Sequence, residues 1–277
     1  MIKLDGIKLA LELEKAMLEK TKNKNIRLDI IQIGDDYASS IYIKRKINVC
    51  NNLKIKTKLW KFKKTVAQKE IIQLIEKLNS DVKVNGILLQ LPIPKKFDCE
   101  SILKKIDCKK DVDVFNKKTL KLRTKNNEFL VPCLVGAIEA FSKKYKISFK
   151  NKKIVVVGKG RTGGMPIINW YKKQYKILSL DKNSKSINNK ISKADILITA
   201  IGKSNVIDSS KIKKNSVFFD VGINRTKNSK KITGDINYDV AEKNAKFGTP
   251  VPGGIGPLTI IMLIKNLITL SEIQNEK

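Results

Sequence analysis

Tyr42 and Lys46, in the segment SSIYIKRKIN, stand four residues apart, a spacing that puts both side chains on one face of a helix. A phenol beside an ammonium group offers a ring that stacks on a flat substrate and a nitrogen that carries a proton to or from it. Partial burial lowers the proton affinity of such a lysine toward a useful range. Gln90 follows the apolar run Gly86–Leu89, so it lies at the carboxyl end of a buried strand, where open α/β sheets take ligands. The segment KDVDVF supplies two further carboxylates, Asp111 and Asp113. Each feature also has a plainer reading. Among 52 lysines, Tyr-x-x-x-Lys pairs arise on surfaces by accident, an amide caps a strand edge, and aspartates cap turns.

A second group is carried by IVVVGKGRTGG, where Gly158, Gly160 and Gly163 have GxGxxG spacing between a strand and a helix. Such glycines permit a tight turn and close approach of the backbone to a pyrophosphate, which the helix N-terminus stabilises. The next strand ends at Asp181, 23 residues after Gly158. An acid there hydrogen-bonds the ribose hydroxyls of NAD and repels a 2′-phosphate, whereas Lys159 and Lys182 attract one. Both NAD and NADP therefore stay open.

These residues need a scaffold, and the chain alternates apolar runs with helical patterns in the manner of parallel α/β folds. Helices are expected at 7–20, 39–51, 67–78, 130–145 and 165–174, with a long apolar one at 256–270. Strands are expected at 27–33, 55–60, 86–89, 153–157, 176–180, 195–198 and 216–221. Pro92 and Pro94 must end the strand before them, because proline cannot continue a ladder. The fold class is α/β: two α/β domains around a cleft, the second a Rossmann-like dinucleotide-binding domain. The expected division is 1–130, with the helix 256–277 packing back on it, and 131–255.

Composition removes several chemistries. The 277 residues contain no histidine, which excludes His-dependent general base catalysis, Ser-His-Asp triads and His-ligated zinc. Four scattered cysteines, with no CxxC pair, form neither a disulfide scaffold nor a thiolate metal site. The net charge of +31 invites a nucleic-acid reading. Only five of the basic residues are arginine, however, and no Arg cluster or aromatic-basic interleave is present, so a solvated lysine surface is the preferred account. The N-terminus lacks the apolar run of a signal peptide. The longest apolar stretch, 257–270, is broken by Lys265 and is shorter than a bilayer span. A cytoplasmic location is the expectation.

Taken in order, the motifs resemble one family, the bifunctional methylenetetrahydrofolate dehydrogenase/methenyltetrahydrofolate cyclohydrolases. The resemblance runs from Ser39–Lys46 through GILLQLPIP, KDVDVF, Pro132-Cys133, VVVGKGRTGGMP, ADILITAIGK, FDVGINR and GDI to TPVPGGIGPLTIIML. It implies oxidation of 5,10-methylenetetrahydrofolate with NAD(P)+ and hydrolysis of the methenyl product to 10-formyltetrahydrofolate. Lys46 would be the principal catalytic residue of the hydrolysis, Tyr42 would stack on the folate, Gln90 would hydrogen-bond to Lys46, and Asp113 would pair with the pterin edge. Ser39, Leu89 and Leu91 would contact substrate. The loop Pro250, Val251, Pro252, Gly253, Gly254, Ile255, Gly256, Pro257 and Leu258 would close over it. Gly158, Lys159 and Gly160 would hold the cofactor phosphates, with Ile223 near the nicotinamide. The cofactor would be NADP by resemblance, or NAD as Asp181 suggests, with no metal. A homodimer acting on a small folate, with no specific nucleic-acid or membrane partner, is implied.

The chain also departs from the family. Glycine is usual in place of Val114, histidine in place of Asn116 and of Asp181, Thr-Pro in place of Leu134-Val135, and arginine and serine in place of Lys159 and Gly160. These departures motivate the alternative of a cyclohydrolase with an impaired cofactor site; a lysine-rich nucleic-acid-binding protein is the alternative from another class.

Overall fold

The computed structural model describes residues 1–204, 206–225 and 232–276. From the N-terminus the elements are β1 (Ile2–Lys3), α1 (Gly6–Thr21), β2 (Arg27–Ile33), α2 (Tyr37–Asn52), β3 (Lys56–Phe62), α3 (Gln68–Ser80), β4 (Gly86–Leu89) and α4 (Cys99–Lys105). They continue with α5 (Cys133–Lys144), β5 (Ile154–Val157), α6 (Gly164–Tyr171), β6 (Ile177–Leu180), α7 (Ile187–Ile191), β7 (Ile196–Thr199) and β8 (Val217–Asp220). The chain ends with the pair β9 (Asn224–Arg225) and β10 (Ile232–Thr233), then α8 (Tyr238–Ala241), β11 (Phe247–Gly248) and α9 (Ile255–Asn275).

Two compact units emerge, one of Glu12–Cys133 with Ile260–Lys277 and one of Met1–Leu11 with Leu134–Thr259. The first is built on a parallel sheet of order β3-β2-β4. Its strands β2 and β4 are buried almost throughout, as parallel strands covered on both faces must be; β4 is an unbroken apolar run, and β2 is apolar except for Arg27 and the buried Asp29 and Gln32. Ile31, Ile33, Ile87 and Leu89 pack on Ile71, Ile75 and Leu78 of α3. The strand order reverses at β2, whose neighbours β3 and β4 lie on opposite sides. The carboxyl ends of β2 and β4 therefore flank a topological switch point, the place where such sheets bind ligands.

In the second unit the sheet order is β1-β11-β8-β7-β5-β6, every pair parallel. Val155, Val157, Leu197 and Phe218 form the centre of its core. Here the switch point lies between β5 and β7. The first eleven residues belong to this unit rather than to the expected span 1–130, because Ile2 and Lys3 pair with Phe247 and Gly248. From Ile260 on, α9 belongs to the unit containing Lys46. At 21 residues α9 is longer than the apolar stretch read from the sequence, and its length and composition would suit a membrane span. Its window is instead 72% buried within the fold, so a core role accounts for its apolarity.

Candidate functional site

α2 begins where Asp36 caps it, its side chain accepting the Ser39 N–H at 2.7 Å. Ile43 and Cys50 point into the core, and this rotation places Ser39, Tyr42 and Lys46 on adjoining positions of one helix face. Lys46 Nζ donates to Gln90 Oε1 at 2.9 Å. The side-chain amide is fixed by a further bond, Nε2 to the Leu91 carbonyl at 2.7 Å, while the backbone N–H of Gln90 donates to the Ile31 carbonyl at 2.9 Å. With its NH2 group committed to the backbone, Gln90 presents its oxygen to the lysine. Leu89 is buried at the end of β4, and Ser39 is buried with a side-chain hydroxyl that has no hydrogen-bond partner among the described residues.

Burial holds the Lys46 ammonium below its ordinary pKa, and the charge of Asp113 pulls it part of the way back. Asp113 is displaced in the complementary sense, raised by burial and lowered again by Lys46 and by the Cys133 thiol. Tyr42 is also raised by burial, against the pull of Arg45. The arrangement gathers an amine with reduced proton affinity, a carboxylate and an oriented amide in one unit, which is the equipment for moving one proton to and from a bound molecule.

Asp113 is held by features that sequence reasoning did not single out. Ile87 N–H donates to the Lys110 carbonyl at 2.8 Å, and a parallel bridge joins Ile87 to Asp111, so the 110–112 segment lies beside β4. Asp111 accepts from Asn116 N–H at 2.7 Å and Thr119 Oγ1 at 3.0 Å; its carboxyl is pushed up to about 6, chiefly by burial. Val114 has φ +60°, the one β-branched residue among those described that adopts the left-handed region. The backbone thus does require positive φ where the family has glycine, and valine accepts it at a cost of roughly 1–2 kcal/mol. Cys133 Sγ lies 3.6 Å from Asp113 Oδ1, a placement that its position in the Pro-Cys motif alone did not reveal.

Asn266 on α9 closes this arrangement. Its Nδ2 donates to the carbonyls of Val112 at 3.0 Å and Val131 at 2.9 Å, and its Oδ1 accepts the Val131 N–H at 3.3 Å. One amide thereby clamps the chain next to Asp113 and the chain next to Cys133. Asn266→Leu leaves the Val131 N–H and carbonyl unpaired and the Val112 carbonyl with only the Cys133 thiol at 3.8 Å, and is expected to cost about 3 kcal/mol. Urea unfolding measures this, and a loss below about 1 kcal/mol would show that the clamp contributes little.

A basin of about 630 Å3 opens at the amino ends of β2 and β3, lined by Arg27, Asn51, Lys54, Lys56 and Lys58 among others. It lies at the end of the sheet away from Gln90. Its guanidinium is already paired, Arg27 binding Asp29 through Nε at 2.7 Å and Nη2 at 2.9 Å. The buried amine, carboxylate and oriented amide come together elsewhere, so the Lys46 neighbourhood is the candidate site.

In the other unit, Gly158 has φ +111°, and a Cβ there would lie 2.2 Å from the Ala200 carbonyl oxygen. The glycine-rich turn is thus pressed against the chain leaving β7, at the switch point. A Cβ on Gly160 would meet nothing within 4 Å. Gly163 N–H and Met165 N–H both donate to the Gly160 carbonyl, at 3.2 and 3.0 Å, as the turn enters α6. Tight packing behind the turn and open space before Gly160 suit a pyrophosphate seated at the N-terminus of α6. Asp181 accepts from Asn183 N–H at 2.9 Å and lies 3.5 Å from Lys159 Nζ, contacts that hold its carboxyl below the usual range. Ile223 is exposed after β8. Pro250–Gly254 link β11 to α9, and the Gly253 carbonyl accepts the Gly6 N–H at 2.8 Å.

Residues 4–113 match the family "Tetrahydrofolate dehydrogenase/cyclohydrolase, catalytic domain", and residues 132–275 match its "NAD(P)-binding domain". A relative from Mycoplasmoides gallisepticum, "Bifunctional protein FolD", is 37% identical over 283 residues, covering 99% of this chain and 98% of its own. Its namesake from Mycoplasma genitalium is 40% identical, with 93% of each chain covered. The crystal structure of the bifunctional enzyme FolD from Campylobacter jejuni superposes with a TM-score of 0.89 at 33% identity over 98% of each chain. The Trypanosoma brucei enzyme, complexed with NADP and an inhibitor, gives 0.90 at 26% identity over 98% of this chain and 97% of its own. Two consecutive domain matches, full-length relatives and one shared fold agree: the chain belongs to the tetrahydrofolate dehydrogenase/cyclohydrolase family.

Proposed function

We propose that this protein oxidises 5,10-methylenetetrahydrofolate to the 5,10-methenyl form with NAD(P)+ and hydrolyses that product to 10-formyltetrahydrofolate. The observation that carries the reading is the 2.9 Å contact from Lys46 Nζ to Gln90 Oε1, in a site where burial suppresses the lysine charge and Asp113 stands by.

The two half-reactions ask different things of the protein. Loss of hydride from the carbon between two nitrogens leaves a cation delocalised over both, so oxidation needs no protein base. NAD(P)+ supplies the hydride acceptor when bound. Gly158 and Gly163 let the turn pack against Ala200, the open space before Gly160 would leave room for its pyrophosphate, and the start of α6 would meet that negative charge. Hydrolysis begins with water attacking the amidinium carbon, and a proton must leave the water oxygen. Neutral Lys46 accepts it, with Gln90 Oε1 taking one N–H and so orienting the nitrogen lone pair. The resulting ammonium returns a proton to the ring nitrogen that departs, the C–N bond breaks with its electron pair going to that nitrogen, and the remaining hydroxyl releases its proton to solvent as the formyl C=O forms. Asp113 holds the pterin edge and stabilises the ammonium; Tyr42 stacks on the folate. Ser39, Leu89 and Leu91 complete the folate contacts made by this unit.

Asp181 favours NAD, because its carboxylate suits ribose hydroxyls and opposes a 2′-phosphate, while Lys159 moderates that bias. The same reading makes the enzyme a cytoplasmic homodimer whose lysine-rich surface is a solvated face. A paired assay with NAD and NADP tests it. Cofactor reduction is expected only when methylenetetrahydrofolate is present, with the methenyl product visible by absorbance. Turnover with neither cofactor, alongside hydrolysis of the methenyl compound, would leave a cyclohydrolase alone.

A further inference from the structure

Two buried carboxylates at the carboxyl edge of the six-stranded sheet take no part in the chemistry above. Asp220 ends β8 and Asp235 follows β10, each only 2% exposed. Asp235 accepts three successive backbone N–H groups, from Ile201 at 2.6 Å, Gly202 at 3.3 Å and Lys203 at 3.1 Å, and the Asn224 side-chain amide at 3.0 Å. Asp220 accepts Thr199 Oγ1 at 3.0 Å and the N–H groups of Gly222, Asp235 and Ile236 at 2.9, 3.2 and 2.8 Å. Its own N–H donates to Thr249 Oγ1 at 2.7 Å.

The partners come from four separate stretches: the chain leaving β7, the chain leaving β8, the segment after β10, and Thr249 at the entry to Pro250–Leu258. Backbone approaches so closely that a Cβ at Gly222 would sit 2.2 Å from Asp235 Cγ, and one at Gly234 would sit 2.0 Å from Asp220 Oδ2. Ala200, one residue before the loop that Asp235 gathers, is the residue pressed against Gly158. The pair therefore holds the chain leaving β7 at the switch point, where Ala200 packs against the turn after β5.

Burying two like charges is expensive. Burial pushes Asp220 up to about 7, with the charge of Asp235 adding to the effect. A core could satisfy a few N–H groups with neutral carbonyls at lower cost. What the carboxylates add is the ability to draw several N–H groups to one point, which sets a loop shape that apolar packing does not specify.

We propose that Asp220 and Asp235 are positioning residues for the oxidation half-reaction, holding Ile201–Lys203, Gly222–Asn224 and Thr249 in the shape that receives the redox end of the dinucleotide. The proposal rests on the dehydrogenase reading, and it assigns the pair no role in hydrolysis, which belongs to the Lys46 unit.

Asp235→Asn turns an NH2 group toward N–H donors and breaks the gathering while keeping the volume. Three measurements on the full-length protein test it: amide hydrogen exchange without cofactor, NADH and NADPH binding by fluorescence, and the rates of both half-reactions. The expected result is faster exchange at Ile201–Lys203, at least tenfold weaker binding of the preferred dinucleotide, and at least tenfold slower oxidation, with hydrolysis within twofold of the parent. Thr199→Val removes one bond to Asp220 with little change in shape, and it keeps the test decisive if Asp235→Asn does not fold. It should weaken dinucleotide binding two- to fivefold and again spare hydrolysis. Unchanged binding in the folded variants, or equal losses of oxidation and hydrolysis, would overturn the proposal. Exchange and binding decide it even if the parent fails to oxidise methylenetetrahydrofolate, a result that would instead count against the dehydrogenase reading.

Discussion

Lys46→Met is expected to lower the rate of methenyltetrahydrofolate hydrolysis at least a hundredfold while cofactor-linked oxidation of methylenetetrahydrofolate continues within a few-fold of the parent. The split follows from the chemistry of each step. A positioned general acid-base contributes about 10²–10⁴ in rate, and Lys46 is the group with suppressed charge that touches Gln90. Oxidation produces a delocalised cation without any proton transfer, so it does not need the amine. Methionine keeps the length and apolar stem of lysine, and Asp113, which loses the cation that favours its charged form, is expected to take up a proton rather than remain an unpaired buried carboxylate. Gln90 loses one donor, while its bonds to Leu91 and Ile31 remain. Parallel assays of the purified variant measure both rates. Hydrolysis at the parental rate would remove Lys46 from the mechanism, and proportional loss of both activities would mean that the substitution acts through folding.

The second large effect belongs to the other unit and has the opposite sign. Gly160→Leu should abolish most cofactor-linked oxidation and leave hydrolysis intact. Gly160 is exposed, its φ lies outside the left-handed region, and a Cβ there meets nothing within 4 Å. The folded chain therefore accepts the side chain, and stability should stay within about 0.5 kcal/mol. The space that the side chain fills is the approach to the turn, where the dinucleotide pyrophosphate would come close to the backbone. Loss of even 1.4 kcal/mol of binding there is about tenfold in affinity. Cofactor titration by fluorescence and thermal unfolding of the variant measure the two sides of the prediction. Unaltered cofactor affinity would move the dinucleotide away from Gly160. Gly158→Ala is the contrasting case, since its Cβ would strike the Ala200 carbonyl oxygen and both stability and binding should suffer.

How far the sequence disclosed this arrangement depends on whether each signal is local. β2 and β4 appear where they were expected, because strands buried on both faces are rich in apolar residues and are bounded by turn residues, even though β2 carries the buried Asp29 and Gln32. β1 and β11 are two residues each and exist only as partners of one another and of β8, so no window of sequence contains their signal. α4 was missed because just one of its residues, Ile102, is buried, leaving almost no apolar period; the Asp98 cap was its main mark. α9 runs on to Asn275, past the end of its apolar run, because buried Ser271 and half-buried residues beyond it still pack.

Site residues divide in the same way. The Tyr42–Lys46 spacing and the place of Gln90 after a strand were legible, since both follow from helix and sheet periods. Asn266, Asp220 and Asp235 were not, because a buried polar residue looks like any other until its partners are known. Val114 gave a partial signal: its departure from glycine marked a special backbone position, and only the structure shows that valine occupies the left-handed conformation itself.

The lowered proton affinity of Lys46 can be measured directly. Heteronuclear NMR titration of the lysine side chains, with Lys46→Arg to assign the resonance, yields its pKa in the folded enzyme. The account predicts a midpoint below the ordinary lysine value, moving lower still in Asp113→Asn, where the carboxylate that favours the ammonium is gone. A midpoint at or above the ordinary value would leave Lys46 without the neutral form that the hydrolysis requires, and would contradict the account.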